Sequence, residues 1–181
     1  IELDPQNADS YVGLAYALQS RGKYAEAEDI YKQALKIDAF NPDLLHFYSQ
    51  ALLFNGRIKE AVAVRQQLQT LEPIVPNFNA WTAMSLMAAG QYEAALPILK
   101  ALPIHNNNRR INLIAGNIHL GRGGDAADVI LSYSTMYKPD AVAAAVRLLR
   151  MPPTTVAPKD LPELEGDLSS VYLYVGAPER Y

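Results

Sequence analysis

The sequence predicts an all-α fold, a solenoid of antiparallel helix pairs, on three observations. Small and bulky residues recur in evenly spaced columns with a period of 34: Ala27, Ala61 and Ala95; Gly22, Gly56 and Gly90; Leu18, Leu52 and Leu86; Ala15, Ser49 and Ala83; Tyr24, Ile58 and Tyr92. Between these columns the apolar residues fall at helical spacing. Each glycine column divides its period into two stripes, as a turn between two helices would. Five columns held in register over three periods mark a repeat array.

In the first period Tyr11, Leu14, Ala15 and Leu18 form one stripe, closed by Gly22 as a left-handed cap. Ala27, Ile30, Tyr31, Ala34 and Leu35 form the second, closed at Asp38 and Asn41-Pro42. Asp4-Pro5 recurs as Asp38-Ala39 and Glu72-Pro73. A fourth unit is expected at a spacing of 32, with Ala83 matching Ala115, Leu86 matching Ile118, Ala95 matching Ala127 and Leu99 matching Leu131. Pro103 and the run from His105 to Asn108 place the missing residues between Leu99 and Ile111, and Pro139 closes the unit. Pro97 should kink the third unit's second helix by removing a backbone hydrogen bond. Helices of about 13 residues are marginal alone in water, so each must bury its stripe against neighbours. Small side chains at Ala15 and Ala27 allow close approach, with Tyr11, Leu18, Tyr24 and Tyr31 filling the space around them.

The expected organisation is a preceding repeat's tail at 1–5, repeats at 6–39 and 40–73, and a repeat with a shortened second helix at 74–105. A divergent repeat at 106–139 and a degenerate helical tail at 140–181, with a Pro-rich linker at 152–162, complete it.

These columns resemble the tetratricopeptide repeat (TPR) family, whose pattern runs through an aromatic, Leu-Gly, Tyr, Ala, Phe and Pro. The first unit supplies Tyr11, Leu14-Ala15, Leu18, Gly22, Tyr24, Ala27, Tyr31, Ala34 and Asp38-Ala39. The second supplies Leu45, Tyr48-Ser49, Leu52, Gly56, Ile58, Ala61 and Pro73. The resemblance covers residues 1–139 and implies a right-handed superhelical solenoid whose first helices line a concave face for extended or helical peptides. Two departures stand out: Arg65 replaces the large aromatic of the second unit, and Leu68 stands where a small residue is usual.

Composition narrows the function classes. The 181 residues carry 16 Lys+Arg against 19 Asp+Glu, three His and no Cys. Without cysteine there is no disulfide, thiolate metal site or Cys nucleophile. A net charge of −3 argues against a nucleic-acid groove, which needs a cationic field. No apolar run approaches a membrane span of about 20 residues, and no signal-peptide pattern opens the chain. A cytoplasmic location is favoured by these features. His46, His105 and His119 lack metal-ligand spacing and are expected to be solvated groove or loop side chains. Asp125 and Asp128 fall at a helix start, where carboxylates meet the dipole favourably. Gly121-Arg122-Gly123-Gly124 follows a helix rather than a strand, so it reads as a loose turn and not a phosphate loop. No catalytic residue, metal site or cofactor is expected.

Toward the end, Asp140–Met151 reads as an Ala-rich helix stopped by Pro152-Pro153, with Pro158 and Pro162 keeping the chain beyond it extended or turned. Two readings of 140–166 stand: a degenerate repeat that lost its second helix, or a hinge or strand-like segment folding back into the groove. Asp167–Gly176 reads as another first helix, and an unpaired helix Leu168–Val175 would be a candidate for self-association. Both ends read as those of an internal segment of a longer polypeptide.

Helical spacing puts Val12, Tyr16, Gln19 and Ser20 inward from the first unit, and His46, Phe47, Gln50, Leu53 and Phe54 from the second. The third offers Ala80, Trp81, Met84 and Met87, and the fourth Arg109, Asn112, Leu113, Gly116 and His119. The candidate partner-binding residues are Tyr16, His46, Phe47, Gln50, Phe54, Trp81, Met84, Met87, Arg109, Asn112 and His119. Aromatic and Met side chains are enriched at binding hot spots and adaptable surfaces. The alternative is that Phe47, Phe54, Trp81 and Met84 belong to the core. Family members that clamp a terminal carboxylate use Lys, Arg and Asn on the concave face. The corresponding Val12, Tyr16, Phe47, Asn77 and Trp81 lack those charge-assisted contacts. Related repeats read single-stranded RNA with basic grooves, and Arg109 is the only cation expected to face this one. The expected function is a protein–protein interaction scaffold binding a protein or peptide partner in an apolar, aromatic groove, with no enzymatic activity, nucleic acid or membrane span. The alternative is a regulatory or oligomerisation segment of a larger multidomain enzyme or regulator.

Overall fold

A computed structural model of the chain describes residues 6–153 and 158–181, and among them there is no strand. The expected preceding-repeat tail at 1–5 and residues 154–157 of the linker lie outside the described residues. Helices run in order as α1 (Ala8–Gln19), α2 (Tyr24–Ile37), α3 (Pro42–Phe54), α4 (Ile58–Leu71) and α5 (Pro76–Ala88). They continue as α6 (Tyr92–Ala101), α7 (Asn107–His119), α8 (Gly123–Ser132), α9 (Pro139–Arg150) and the single-turn α10 (Val171–Tyr174).

Local chemistry sets these boundaries. Asn7, Asn41 and Asn106 cap α1, α3 and α7 by accepting from backbone N–H groups of Asp9, Leu44 and Arg109. Pro42, Pro76 and Pro139 occupy first-turn positions where a missing N–H costs nothing. Gly22, Gly56, Gly90 and Gly121 all have φ between 70° and 76°, the left-handed region that glycine enters without strain. After each, the next N–H returns to a carbonyl of the helix: Lys23 to Leu18, Arg57 to Leu52, Gln91 to Leu86 and Arg122 to Asn117.

The chain forms two compact units, Ile1–Gln91 and Tyr92–Tyr181. In the first, α1 packs on α2, α3 on α4, and each second helix on the next first helix. Ala15, Ala27, Ala34, Ala51 and Ala61 are wholly buried, and Tyr31, Leu44 and Leu52 fill the space that these short side chains leave. In the second unit, Ile114, Ile118, Ala126, Ala127 and Ile130 pack with Val142, Ala145, Leu148 and Leu149 of α9.

The fourth hairpin corrects the expected register. Its first helix opens at Asn107 and its cap glycine is Gly121, so it follows Pro76 and Gly90 of the third hairpin at a spacing of 31 rather than 32. Ala126 and Ile130 take the places of Ala95 and Leu99; Ile130 is buried, whereas Leu131 is 41% exposed. The cause is the early stop of α6 at Ala101, since Pro103 disfavours helical backbone at Leu102. Pro139 opens α9 rather than closing the hairpin before it. Helix α6 continues through Pro97, on an exposed face where water can serve the Glu93 carbonyl that Pro97 leaves without a donor. The expected loose turn at 121–124 is tighter than predicted: Gly123 and Gly124 belong to α8, and Gly123 is buried.

The segment expected to be an unpaired first helix is a 3-10 turn, Gly166–Ser170, leading into α10. It ends on Gly176, with the N–H of Ala177 returning to Tyr172, the bond made at the other first helices. It is not unpaired. Leu168, Val171 and Tyr172 are buried in the second unit's core against α7 and α9. Asp167 lies beside Arg110 near the start of α7, and Tyr174 beside Gly123 and Leu149, so the segment runs along α7 and α9 in their own direction. The Tyr172 hydroxyl donates to the Pro162 carbonyl at 2.6 Å and accepts from the Leu164 N–H at 2.7 Å, tying the segment's approach to its helix.

Candidate functional site

The first helices of the first unit carry no Lys or Arg; α1, α3 and α5 hold only Asp9 and Asp43, both in first turns. Their aromatic side chains, with Tyr24 of α2 at one end, meet in one sequence of ring contacts. Tyr16 tilts on Phe47 with centroids 4.9 Å apart, and Phe47 meets the edge of His46 at 5.0 Å. His46 then contacts Phe78 at 4.8 Å and Trp81 at 6.4 Å. Trp81 stands perpendicular to Phe54 at 6.2 Å, and Phe54 stacks on Tyr24 at 4.9 Å. Tilted and edge-to-face pairs at these separations are attractive beyond their area.

Exposure differs along this face. Tyr16 and Phe54 are 50% and 51% exposed, while Phe47, Trp81, Met84 and Met87 are half-buried. Phe47 rests against the first unit's core. Val12 and Gln19 of the first repeat and Ala80 of the third, expected to face inward, are instead buried. His46 is corrected most sharply: it is 3% exposed rather than solvated. Gln50 is buried beside it.

The two belong to a buried polar chain. Tyr31 Oη lies 3.1 Å from the Gln19 amide, Gln19 lies 3.1 Å from the Gln50 amide, and Gln50 lies 2.8 Å from His46 Nε2. On the other side of the ring, Arg65 Nη1 lies 2.9 Å from His46 Nδ1, and Nη2 donates to the His46 carbonyl at 3.0 Å. A guanidinium only donates, so Nδ1 accepts and the ring proton resides on Nε2. The Gln50 and Asn77 groups facing Nε2 are then their oxygens, and turning these two amides together with that of Gln19 keeps every contact. Burial first, and then the Arg65 charge, hold the His46 imidazole down to about 4. Burial pushes Arg65 down to about 9, which leaves it charged at neutral pH. The Tyr31 hydroxyl is pushed up, by burial first and Tyr16 second.

Arg65 is 1% exposed, its Nε has no hydrogen-bond partner, and no carboxylate pairs with it among the described residues. Its guanidinium lies 5.8 Å from the centre of the Trp81 ring. Sequence reasoning noted Arg65 as a departure without placing it at the site, and it left Phe78 and Tyr31 out. The signal was available in part: Arg65 stands one full repeat after Tyr31 and one before Leu99, a charge in a core column.

The remaining candidates lie in the second unit. Arg109 Nη1 donates to the Tyr133 hydroxyl at 3.0 Å, which donates to the Ile104 carbonyl, and Arg109 Nε is buried without a partner. Asn112 donates to the Asn108 carbonyl at 2.8 Å. His119 stacks on Tyr92 with centroids 4.6 Å apart. Leu113 and Gly116, expected to face inward there, are buried. Among the described residues no three His, Asp or Glu side chains gather as a metal site, and no helix is long and apolar enough to cross a membrane.

Tetratricopeptide repeat models match residues 1–29 and 18–84. Residues 1–84 are built of tetratricopeptide repeats. A segment of 86 residues, 46% of the chain, is 31% identical to the Vi polysaccharide export protein VexE of Salmonella typhi. The chain spans 13% of that relative's length. Among solved structures it is similar to YrrB, described as a TPR protein with an unusual peptide-binding site (TM-score 0.69, 16% identity, 98% of this chain and 82% of that one). It is also similar to MamA from Desulfovibrio magneticus RS-1 (TM-score 0.68, 16% identity, 96% and 94%). At these identities the TPR fold is what is shared, and that fold is a protein-interaction scaffold.

Proposed function

We propose that the aromatic face of the first unit captures an apolar peptide or helix from a protein partner. The observation that carries this reading is the half-exposed pair Tyr16 and Phe54, linked through Phe47, His46 and Trp81 into one ring system. A lone exposed aromatic needs no explanation, but a contiguous apolar surface on a globular fold does. Rings already held by one another lose little freedom when a partner covers them, so more of the contact energy is available for affinity. The peptide-binding site named for YrrB supports the same reading for a chain of the same fold.

The test is a displayed peptide library selected on the chain, with the resulting peptide titrated against wild type and Trp81→Ala. Binding should weaken about tenfold or more, the effect of removing a hot-spot aromatic, with the thermal midpoint nearly unchanged. A variant that unfolds, or that binds as tightly as wild type, rules the face out.

A further inference from the structure

Glu28, the other buried charge among the described residues of the first unit, is paired with Lys32 and Arg57. Arg65 has no such partner, and a buried unpaired cation is a cost to the folded state. The column it occupies does not require charge, because Tyr31 fills it one repeat earlier. What the guanidinium does there is geometric. Its two terminal nitrogens grip the Nδ1 and the carbonyl of His46, while its central carbon lies over the Trp81 ring. His46 in turn touches Phe47, Phe78 and Trp81.

We propose that Arg65 is a positioning residue, holding His46 and Trp81 from beneath in the orientation that receives the partner. This rests on the groove reading above and assigns its specificity to a side chain the partner never touches. Among the described residues Arg65 is the one charged group facing His46; Gln50 on its own helix and Asn77, Phe78 and Trp81 on α5 are neutral, and Tyr31 stands at the far end of the amide chain.

Trp81 is the chain's single tryptophan, so its fluorescence reports the site alone. The experiment compares wild type with Arg65→Met, which keeps an unbranched side chain without the charge, and Arg65→Lys, whose point charge cannot span both His46 acceptors. The readouts are thermal midpoint, acrylamide quenching of Trp81, NMR titration of the His46 ring, and energy transfer from Trp81 to 1-anilinonaphthalene-8-sulfonate. In Arg65→Met the midpoint should fall only modestly, because relief of the unpaired buried charge offsets the two His46 acceptors left without a donor. Quenching should increase, the His46 titration should move up toward that of an ordinary histidine, and dye binding beside Trp81 should weaken about tenfold. Arg65→Lys should not restore quenching or dye binding. A midpoint that falls steeply with Trp81 still shielded would make Arg65 ordinary core, and wild-type quenching and dye binding would leave it without a positioning role. Absence of transfer in wild type would count against the groove itself, while quenching and the His46 titration would still judge Arg65.

Discussion

At the scale of single residues, His46 couples this fold to pH. Unfolded, it takes up a proton near pH 6.5; folded, burial and the adjacent Arg65 hold that event down to about 4. Between those values the unfolded chain binds more protons, so this contribution is complete above about pH 6.5 and drains away as the pH falls toward 4. The loss should reach about 3 kcal/mol. Urea denaturation at pH 7.5 and 4.5, on wild type and His46→Gln, checks it. Carboxylates titrate in both proteins, so the histidine's share is the difference, and equal slopes would refute the assignment. The same pair explains why a polar side chain survives at this depth: each ring nitrogen of His46 has a partner, and an imidazole with only one would be costly to bury.

At the scale of helices, two adjacent glycines in α8 should respond in opposite directions. A Cβ on Gly123 would lie 2.3 Å from the Leu149 carbonyl and 2.6 Å from the Tyr174 ring. Backbone at the end of α9 cannot yield as a side chain can, so Gly123→Ala should destabilise by about 2 kcal/mol through overpacking. Gly124 has open space where its Cβ would go, and it lies within the helix. Gly124→Ala should therefore stabilise by about 0.5–1 kcal/mol. Thermal melts of the two variants side by side test the close crossing of α8, α9 and α10. Two changes of the same sign would show that the seam is looser than the geometry requires.

At the scale of the molecule, each compact unit completes its core differently. The first does so by repetition, one hairpin burying the stripe of the next. The second does so by recruiting residues 161–177, latched at one end by Arg110. Arg110 Nε donates to Asp167 at 2.7 Å, the Tyr137 hydroxyl donates to the same carboxylate at 2.7 Å, and the guanidinium lies over the Tyr133 and Tyr137 rings. The Asp167 carboxyl is held below its usual range; burial opposes this, and the bonds from Tyr137 and Arg110 outweigh it. Asp167→Asn keeps the shape and removes the charge, stranding a largely buried guanidinium. The expected cost is about 2 kcal/mol, less than for a fully buried pair because Asp167 is partly exposed. Hydrogen exchange should show the loss of protection concentrated in 161–177; unchanged exchange there would mean that the apolar contacts hold the segment unaided.

The amino-acid order alone determined the helix-pair fold, its turns and its seams. Those properties are local: Gly and Ala recurring once per repeat state where the backbone turns and where helices approach, whatever lies beyond the hairpin. It determined less where a constraint acts across hairpins. The fourth hairpin's register depended on how early α6 could stop, and a slip of a single position exchanged buried Ile130 for exposed Leu131. His46 and Gln50 carried every sequence mark of groove residues, because helical spacing reports a direction from the helix axis and not what waits there. Only the packed structure brought Arg65 beneath them and Phe78 beside them, turning two expected groove residues into a buried base for Trp81. Likewise, an apolar helix without a sequence neighbour found one in space on α7 and α9. Periodicity fixes which face of a helix is apolar; the identity of the surface that covers that face is a tertiary fact.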